Sequence, residues 1–222
     1  MRLFLFLIIF PISLSYIEPS GNVFFSLKAN GENIKGGDTI DINLKKYVLE
    51  KVKFYVADFK VYKNQEIVLD FDNSSFLFDF SNTSQENIQF PSSLKFDSVS
   101  FTLGIDSATN CSGAYGGDLD PTKGMYWSWQ SGYINFKLEA KSVENHSDLI
   151  YHLGGYKKGE LCTQQVGFKM KGCSDHEIEL NVDEVLDHFL NQGIEKLMSP
   201  GTEAKKLSKL VANSFVPKCL EE

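Results

Sequence analysis

Val48-Leu49-Glu50-Lys51-Val52-Lys53-Phe54-Tyr55-Val56-Ala57-Asp58-Phe59-Lys60-Val61-Tyr62 is the stretch on which the fold turns. Val52, Phe54 and Val56 share one parity, and Phe59 and Val61 share the other, with Asp58 between them. A strand sends alternate side chains to opposite faces, so a slip of one residue at Asp58 keeps all five apolar side chains on the same face. The reading is a long strand carrying a β-bulge.

On its N-terminal side, 23–29 alternates apolar and polar, Asn30-Gly31 is a hairpin dipeptide, and Gly36-Gly37-Asp38 is a second turn. On its C-terminal side, 67–71 and 76–80 are short apolar segments and 96–103 is a clear strand. The Asn, Ser, Gln and Thr of 81–93 predict a surface loop. A long loop rich in Gly and Asp over 105–123 leads into a strand over 126–138, a turn at Glu144-Asn145, and a strand over 149–153. A loop at 154–159, a strand over 163–170, a turn at 172–175 and a strand over 178–182 follow.

Only the end reads as helical. Val185, Leu186, Phe189, Leu190, Ile194 and Leu197 recur at helical spacing over 183–197, with Gly193 weakening the interior. A second helix is predicted over 202–213, with Thr202 as its cap and Pro217 beyond its end. Many short strands followed by terminal helices make the fold class all-β, an antiparallel β-sandwich with a short C-terminal helical appendix. The 18 Phe and 9 Tyr suit sheets packed face to face.

Arg2, the apolar run Leu3 to Phe10, Pro11 and Ser13-Leu14-Ser15 have the three parts of a secretory leader, so 1–15 is expected to be removed and 16–222 to form a single exported domain. The run is shorter than the roughly 20 residues of a membrane span. Export makes the product periplasmic or extracellular. A net charge of −7 without a basic patch excludes nucleic acid and anionic membrane surfaces as partners.

Export also makes Cys111, Cys162, Cys173 and Cys219 candidates for two disulfides. If successive strands alternate in direction, the 105–123 loop, the tryptophans and the 154–159 loop share one end, and the 172–175 turn lies at the other. Cys162 and Cys173 bracket a strand whose ends lie about 30 Å apart at about 3.3 Å per residue, beyond the roughly 7 Å a disulfide spans. The expected pairs are Cys111–Cys162 and Cys173–Cys219.

Catalytic motifs are lacking: there is no Gly-x-Ser-x-Gly, His-Glu-x-x-His or phosphate loop, and Gly154-Gly155 follows a strand without opening a helix. The chain is expected not to be an enzyme. His146 and His176 fall in turns and His188 on the polar side of a helix, where solvated roles are expected; Glu184 and His188 at i, i+4 form at most an ion pair. His152 differs, because it lies in the apolar strand Leu149-Ile150-Tyr151-His152-Leu153. A hairpin through Glu144 sets it nearer Asn135 than Trp129, so a site shared with the tryptophans requires a bulge, for example at Gly132, or contact across the two sheets. Asp106, Asp118 and Asp120 offer a weaker calcium reading, since their spacing matches no EF-hand. Asn73, Asn82, Asn110 and Asn145 are glycosylation sequons.

Both tryptophans fall in Gly124-Met125-Tyr126-Trp127-Ser128-Trp129-Gln130-Ser131-Gly132-Tyr133. At i and i+2 on one strand face, they form either a packed core or a site. That block, together with Phe101-Thr102-Leu103-Gly104-Ile105-Asp106, Asp118-Leu119-Asp120-Pro121-Thr122-Lys123, Tyr151-His152-Leu153-Gly154-Gly155-Tyr156 and Phe54-Tyr55-Val56-Ala57-Asp58-Phe59, resembles the MbnP-like copper-binding family over most of 16–222. The resemblance implies an exported β protein, in a family where some members lie beside genes for methanobactin, a copper chelator. Some bind copper with histidines and a tryptophan oxidised to kynurenine. Carried over, it implies copper storage or delivery, with His152 as an imidazole ligand, Trp127 or Trp129 as the oxidised ring, and Met125 completing the candidate metal set. Copper-binding relatives have a further histidine in the preceding loop, where this chain has Asn110-Cys111-Ser112. The alternative is a structural or recognition module in which the Trp/Tyr cluster is core or meets a protein partner.

Overall fold

The computed structural model describes residues 20–130, 132–170 and 175–220. The leader 1–15 and most of the expected turn at 172–175 lie outside these residues. In chain order the strands begin with β1 (Ser20–Ala29), β2 (Glu32–Asn33), β3 (Thr39–Ile42), β4 (Lys45–Lys63), β5 (Glu66–Asp70), β6 (Ser75–Asp79), β7 (Gln85–Pro91) and β8 (Ser98–Leu103). A short helix α1 (Ser107–Cys111) and two 3-10 turns, Gly117–Leu119 and Pro121–Lys123, precede β9 (Tyr126–Trp127), β10 (Gly132–Ser142), β11 (Asp148–Gly154), β12 (Gln164–Lys169) and β13 (Asp175–Asn181). The chain continues through α2 (Val182–Asn191), β14 (Lys196–Leu197), α3 (Thr202–Asn213) and β15 (Phe215–Leu220).

β4 is the spine of the larger sheet. Along one edge it pairs with β10 through residues 47–54 and then with β8 through residues 56–62. Along the other it takes β3, β6 and β5 in succession. Asp58 has φ +49° and the β4–β8 register shifts between Ala57 and Lys60, so the bulge lies where the alternation slips. It turns Phe59 and Val61 to the same side as Val52, Phe54 and Val56, and all five are fully buried.

The smaller sheet contains β15, β13, β1, β2 and β7, with β1 between β13 and β7. The two sheets meet through phenylalanines. Phe25 of β1 packs against Phe59, Phe78 and Phe101, and Phe215 of β15 against Phe54 and Phe101. A fully buried Phe contributes about 1.5–3 kcal/mol by leaving water, so this ladder is the main glue of an all-β sandwich. Most pairs are antiparallel; β1–β13 and β11–β14 are parallel.

Several expectations are corrected. The predicted loop 81–93 contains β7, whose Ile88 and Phe90 are buried while Asn87 and Gln89 between them dilute the apolar pattern. The predicted strand 126–138 is a hairpin, with β9 turning back onto β10 so that Trp127 pairs with Gly132 and Tyr126 with Tyr133. The helix predicted to Leu197 ends at Asn191, because Gly193 takes φ +68° and reverses the chain, freeing Lys196–Leu197 to join β11. α3 matches its predicted span, but Gly201 rather than Thr202 holds the cap position. Pro217 lies inside β15, an edge strand where a missing N–H costs no ladder bond.

The Cys111–Cys162 pairing is also overturned: neither cysteine is bridged. Cys111 is exposed on the last turn of α1, whereas Cys162 is buried and donates from Sγ to the Glu160 carbonyl at 3.3 Å. Sharing an end of the sandwich does not bring two side chains together. Burial pushes the Cys162 thiol up to about 11. Cys173 lies outside the described residues, and the Cys173–Cys219 expectation with it.

Candidate functional site

The face of the larger sheet turned away from the core is not bare. Between the end of β8 and the start of β10 the chain folds over it, and a second buried cluster forms there from Tyr55, Ile105, Met125, Trp127, Tyr133 and Ile134. The start of this cover is fixed by Asn110. Its Nδ2 donates to the Ile105 and Asp106 carbonyls at 3.0 and 2.9 Å, and its Oδ1 accepts from the Tyr133 N–H at 2.8 Å. Asn110 is 3 % exposed, so this sequon is closed in the folded chain, while Asn73, Asn82 and Asn145 are exposed. Within Asn110-Cys111-Ser112, Asn110 therefore ties α1 to the tryptophan hairpin.

The three aspartates of the calcium reading each have a separate structural task. Asp106 caps α1 through Thr109, Asp118 pairs with Lys123 at 2.6 Å and accepts from the Leu77 N–H, and Asp120 caps the second 3-10 turn through Thr122. Tyr55 donates its hydroxyl to the Asp118 carbonyl at 3.1 Å, and Tyr133 donates to the Leu119 carbonyl at 3.0 Å. Burial raises the Tyr55 phenol well above its ordinary range and also raises that of Tyr133.

The tryptophans do not share one strand face. Trp127 is buried in β9, whereas Trp129 sits in the hairpin turn and is 64 % exposed. The turn nevertheless brings their ring centroids to 5.5 Å. The Trp127 ring lies over Gly154 of β11: a Cβ added to Gly154 would stand 2.9 and 3.1 Å from two of its atoms. At the same end Tyr156 covers Gly132, and the Ser107 hydroxyl donates to the Tyr156 carbonyl at 2.8 Å. The 105–123 segment, the tryptophans and the 154–159 loop converge as the alternation of strand direction predicts.

His152 lies two positions before Gly154 on the same face of β11, since strand side chains alternate. Its register partner is Lys137 rather than Asn135, and the β10–β11 ladder is irregular between Ile134 and Phe136 rather than at Gly132. Its Nε2 lies 2.8 Å from Glu139 Oε1. Glu139 Oε2 accepts from Lys51 at 2.7 Å, and Lys137 donates to the Gly124 carbonyl at 2.5 Å. Burial is the main force holding the His152 imidazole below its ordinary pKa, with the Lys137 charge adding to it against the pull of Glu139. Burial alone would raise Glu139; the bonds from Lys51 and His152 outweigh it and hold the carboxyl low. The neutral ring donates Nε2–H to the carboxylate and presents Nδ1 as its lone-pair nitrogen.

Met125 and Trp127 thus belong to one buried cluster, His152 adjoins it on β11, and Trp129 caps it from solvent. Among the described residues no three His, Cys, Asp or Glu side chains gather as they would around a metal ion. Glu139 and Lys137 were missed in the sequence, although their alternation with the buried Phe136 and Leu138 marks them as outward-facing. The other histidines separate. His146 and His188 are exposed, the latter bonding the Glu184 carbonyl instead of its carboxylate. His176, expected to be solvated, is 4 % exposed in β13, with its ring 4.6 Å from that of Phe96.

A family model described as MbnP matches residues 20–202. Among solved structures, MbnP from Methylosinus trichosporium is similar, with a TM-score of 0.55 at 16 % identity over 77 % of this chain and 78 % of that one. A comparison with curated proteins found no match.

Proposed function

This chain belongs to the MbnP family, and from that premise we propose that it is an exported, non-catalytic protein that binds copper at the tryptophan hairpin and stores or delivers it. The observation carrying this reading is the placement of Trp127 over Gly154, two positions from a His152 whose Nε2 is engaged by Glu139. Imidazole suits copper, and a carboxylate behind the ring orients it and raises its basicity. Met125 offers a soft thioether in the neighbouring cluster. The residues fit a low-coordinate, soft site in place of a cage of carboxylates. Export rests on the leader-like residues 1–15, and no helix among the described residues is long and apolar enough to cross a membrane.

The test is titration of protein isolated from the exported fraction with Cu(I) and Cu(II), comparing wild type with His152→Ala. Binding lost in the variant supports the reading; equal binding by both, or none by either, ends it. Peptide mapping for a kynurenine mass at Trp127 or Trp129 identifies any oxidised ring. A second reading is favoured by the complete burial of Met125 and near-complete burial of Trp127, which a purely structural cluster explains equally well. In that case the exposed Trp129 is available to meet a protein partner, and copper leaves the protein unchanged.

A further inference from the structure

The hairpin joining β3 to β4 turns through Asn43 and Leu44, which lie between the paired Ile42 and Lys45 and take left-handed backbone, with φ of +51° and +67°. Asn followed by Gly makes such a turn without strain. Leucine does not, because its Cβ crowds the following carbonyl, and at 102 % exposure its side chain gives the core nothing in return. The tip is nevertheless firmly mounted. On one side Asn43 Nδ2 donates to Asp187 Oδ1 of α2; on the other, the Val143 N–H donates to the Lys46 carbonyl and the Lys46 N–H to Glu144 Oε1, both at 2.9 Å. A rigid mount for a strained and wholly exposed leucine is the arrangement of a contact residue.

Charge is divided about Leu44. On the β4 side stand Lys45 and Lys46, both exposed, next to the β10–β11 turn and its 42 % exposed Val143. On the β3 side stands α2 with Asp183, Glu184 and Asp187. Lys46 pairs with Asp41, but among the described residues Lys45 and those three carboxylates have no ion-pair partner. A patch with cations on one side of an apolar knob and anions on the other complements itself when turned through 180° about that knob. We propose that this end of the sandwich is the face of a weak two-fold dimer of the chain. Leu44 of each copy sits at the axis against Leu44 and Val143 of the other, and Lys45 of each faces Glu184 of the other. Glu184 is the exposed member of the acidic trio; Asp183 and Asp187 already accept from the Asn30 N–H and from Asn43. The tryptophan hairpin lies at the opposite end of β10, about 30 Å away at about 3.3 Å per residue, so the dimer leaves it open.

The experiment is sedimentation velocity on the full exported chain over a concentration series. Wild type is expected to dimerise with a Kd on the order of 100 μM, in keeping with an interface below about 1,200 Å². Leu44→Asn is expected to weaken the dimer at least about tenfold and, because Asn accepts left-handed backbone, to raise the Tm of the monomer by about 2–4 °C. A variant that melts higher yet associates less separates a contact role from a structural one. Lys45→Glu and Glu184→Lys are each expected to weaken the dimer about tenfold alone, since each sets like charges face to face twice. Mixed in equal amounts they should associate as wild type does, because each copy then supplies the charge that the other needs. Wild type that stays monomeric at about 1 mM overturns the inference, whatever else Leu44 proves to bind. A dimer indifferent to Leu44→Asn, or charge variants that do not rescue each other, overturns it as well.

Discussion

Gly154→Ala tests the contact on which the site geometry depends. Gly154 lies within β11, so alanine meets no turn constraint, and the cost is steric. The new Cβ would stand 2.6 Å from the Tyr133 carbonyl oxygen and 2.9 Å from the nearest Trp127 ring atom. Neither neighbour gives way easily: one is backbone in the adjoining hairpin and the other a buried indole. Overpacking costs about 1–3 kcal/mol, and two such contacts place this variant near 3 kcal/mol. For a chain of this size that lowers Tm by about 6–12 °C. A Trp129→Phe background leaves Trp127 as the only emitter, and its fluorescence should shift to the red as the ring is lifted from the sheet. Gly167→Ala is the control, since its Cβ would meet nothing closer than 3.6 Å; stability there should be unchanged or raised by less than about 1 kcal/mol. If Gly154→Ala melts with wild type and Trp127 emission does not move, the ring does not lie where the structure puts it.

Asn110→Ala should cost about 3 kcal/mol in a urea titration, because it strands the buried Tyr133 N–H and the Ile105 carbonyl, and an unchanged midpoint would refute the clamp. A thiol reagent should label Cys111 promptly in native protein and Cys162 only after unfolding; equal rates, or no labelling of either before reduction, would contradict the two unbridged environments. Asp106 is held below its ordinary pKa by its bonds with Thr109 and nearby backbone, which outweigh the opposing effect of burial. A carboxyl depressed by folding stabilises above its unfolded pKa of about 3.9 and loses that contribution as pH falls through the folded value. Asp106→Ala should therefore cost about 1 kcal/mol at pH 7 and almost nothing near pH 2, and a cost independent of pH would show that the cap is not electrostatic.

Sequence periodicity resolved the parts of this fold where one face is apolar and the other polar. The bulge at Asp58 and the span of α3 were legible for that reason. β7 was not, because only Ile88 and Phe90 reach the core among polar neighbours. β15 was masked by Pro217, which reads as a break unless the strand is known to be an edge. For the site, composition singled out Trp127, Trp129 and His152, but their spacing did not. Ser128 to Gln130 form a turn, so two residues that look like strand neighbours end up on different surfaces. Glu139 reaches His152 from the neighbouring strand β10, and no local pattern signals a juxtaposition made by sheet register.

The position of β1 has a bearing on when this chain can fold. It is the first described strand, yet it lies between β7 and β13, and Val23, Phe25 and Leu27 on it are fully buried. During synthesis β7 becomes available early, but the parallel partner β13 arrives only after most of the chain has been made. Non-local parallel pairing of this kind is slow to form, and until then β1 keeps one edge open. The first described strand therefore gains its second neighbour only when β13 arrives, so the smaller sheet is completed only once most of the chain has been made.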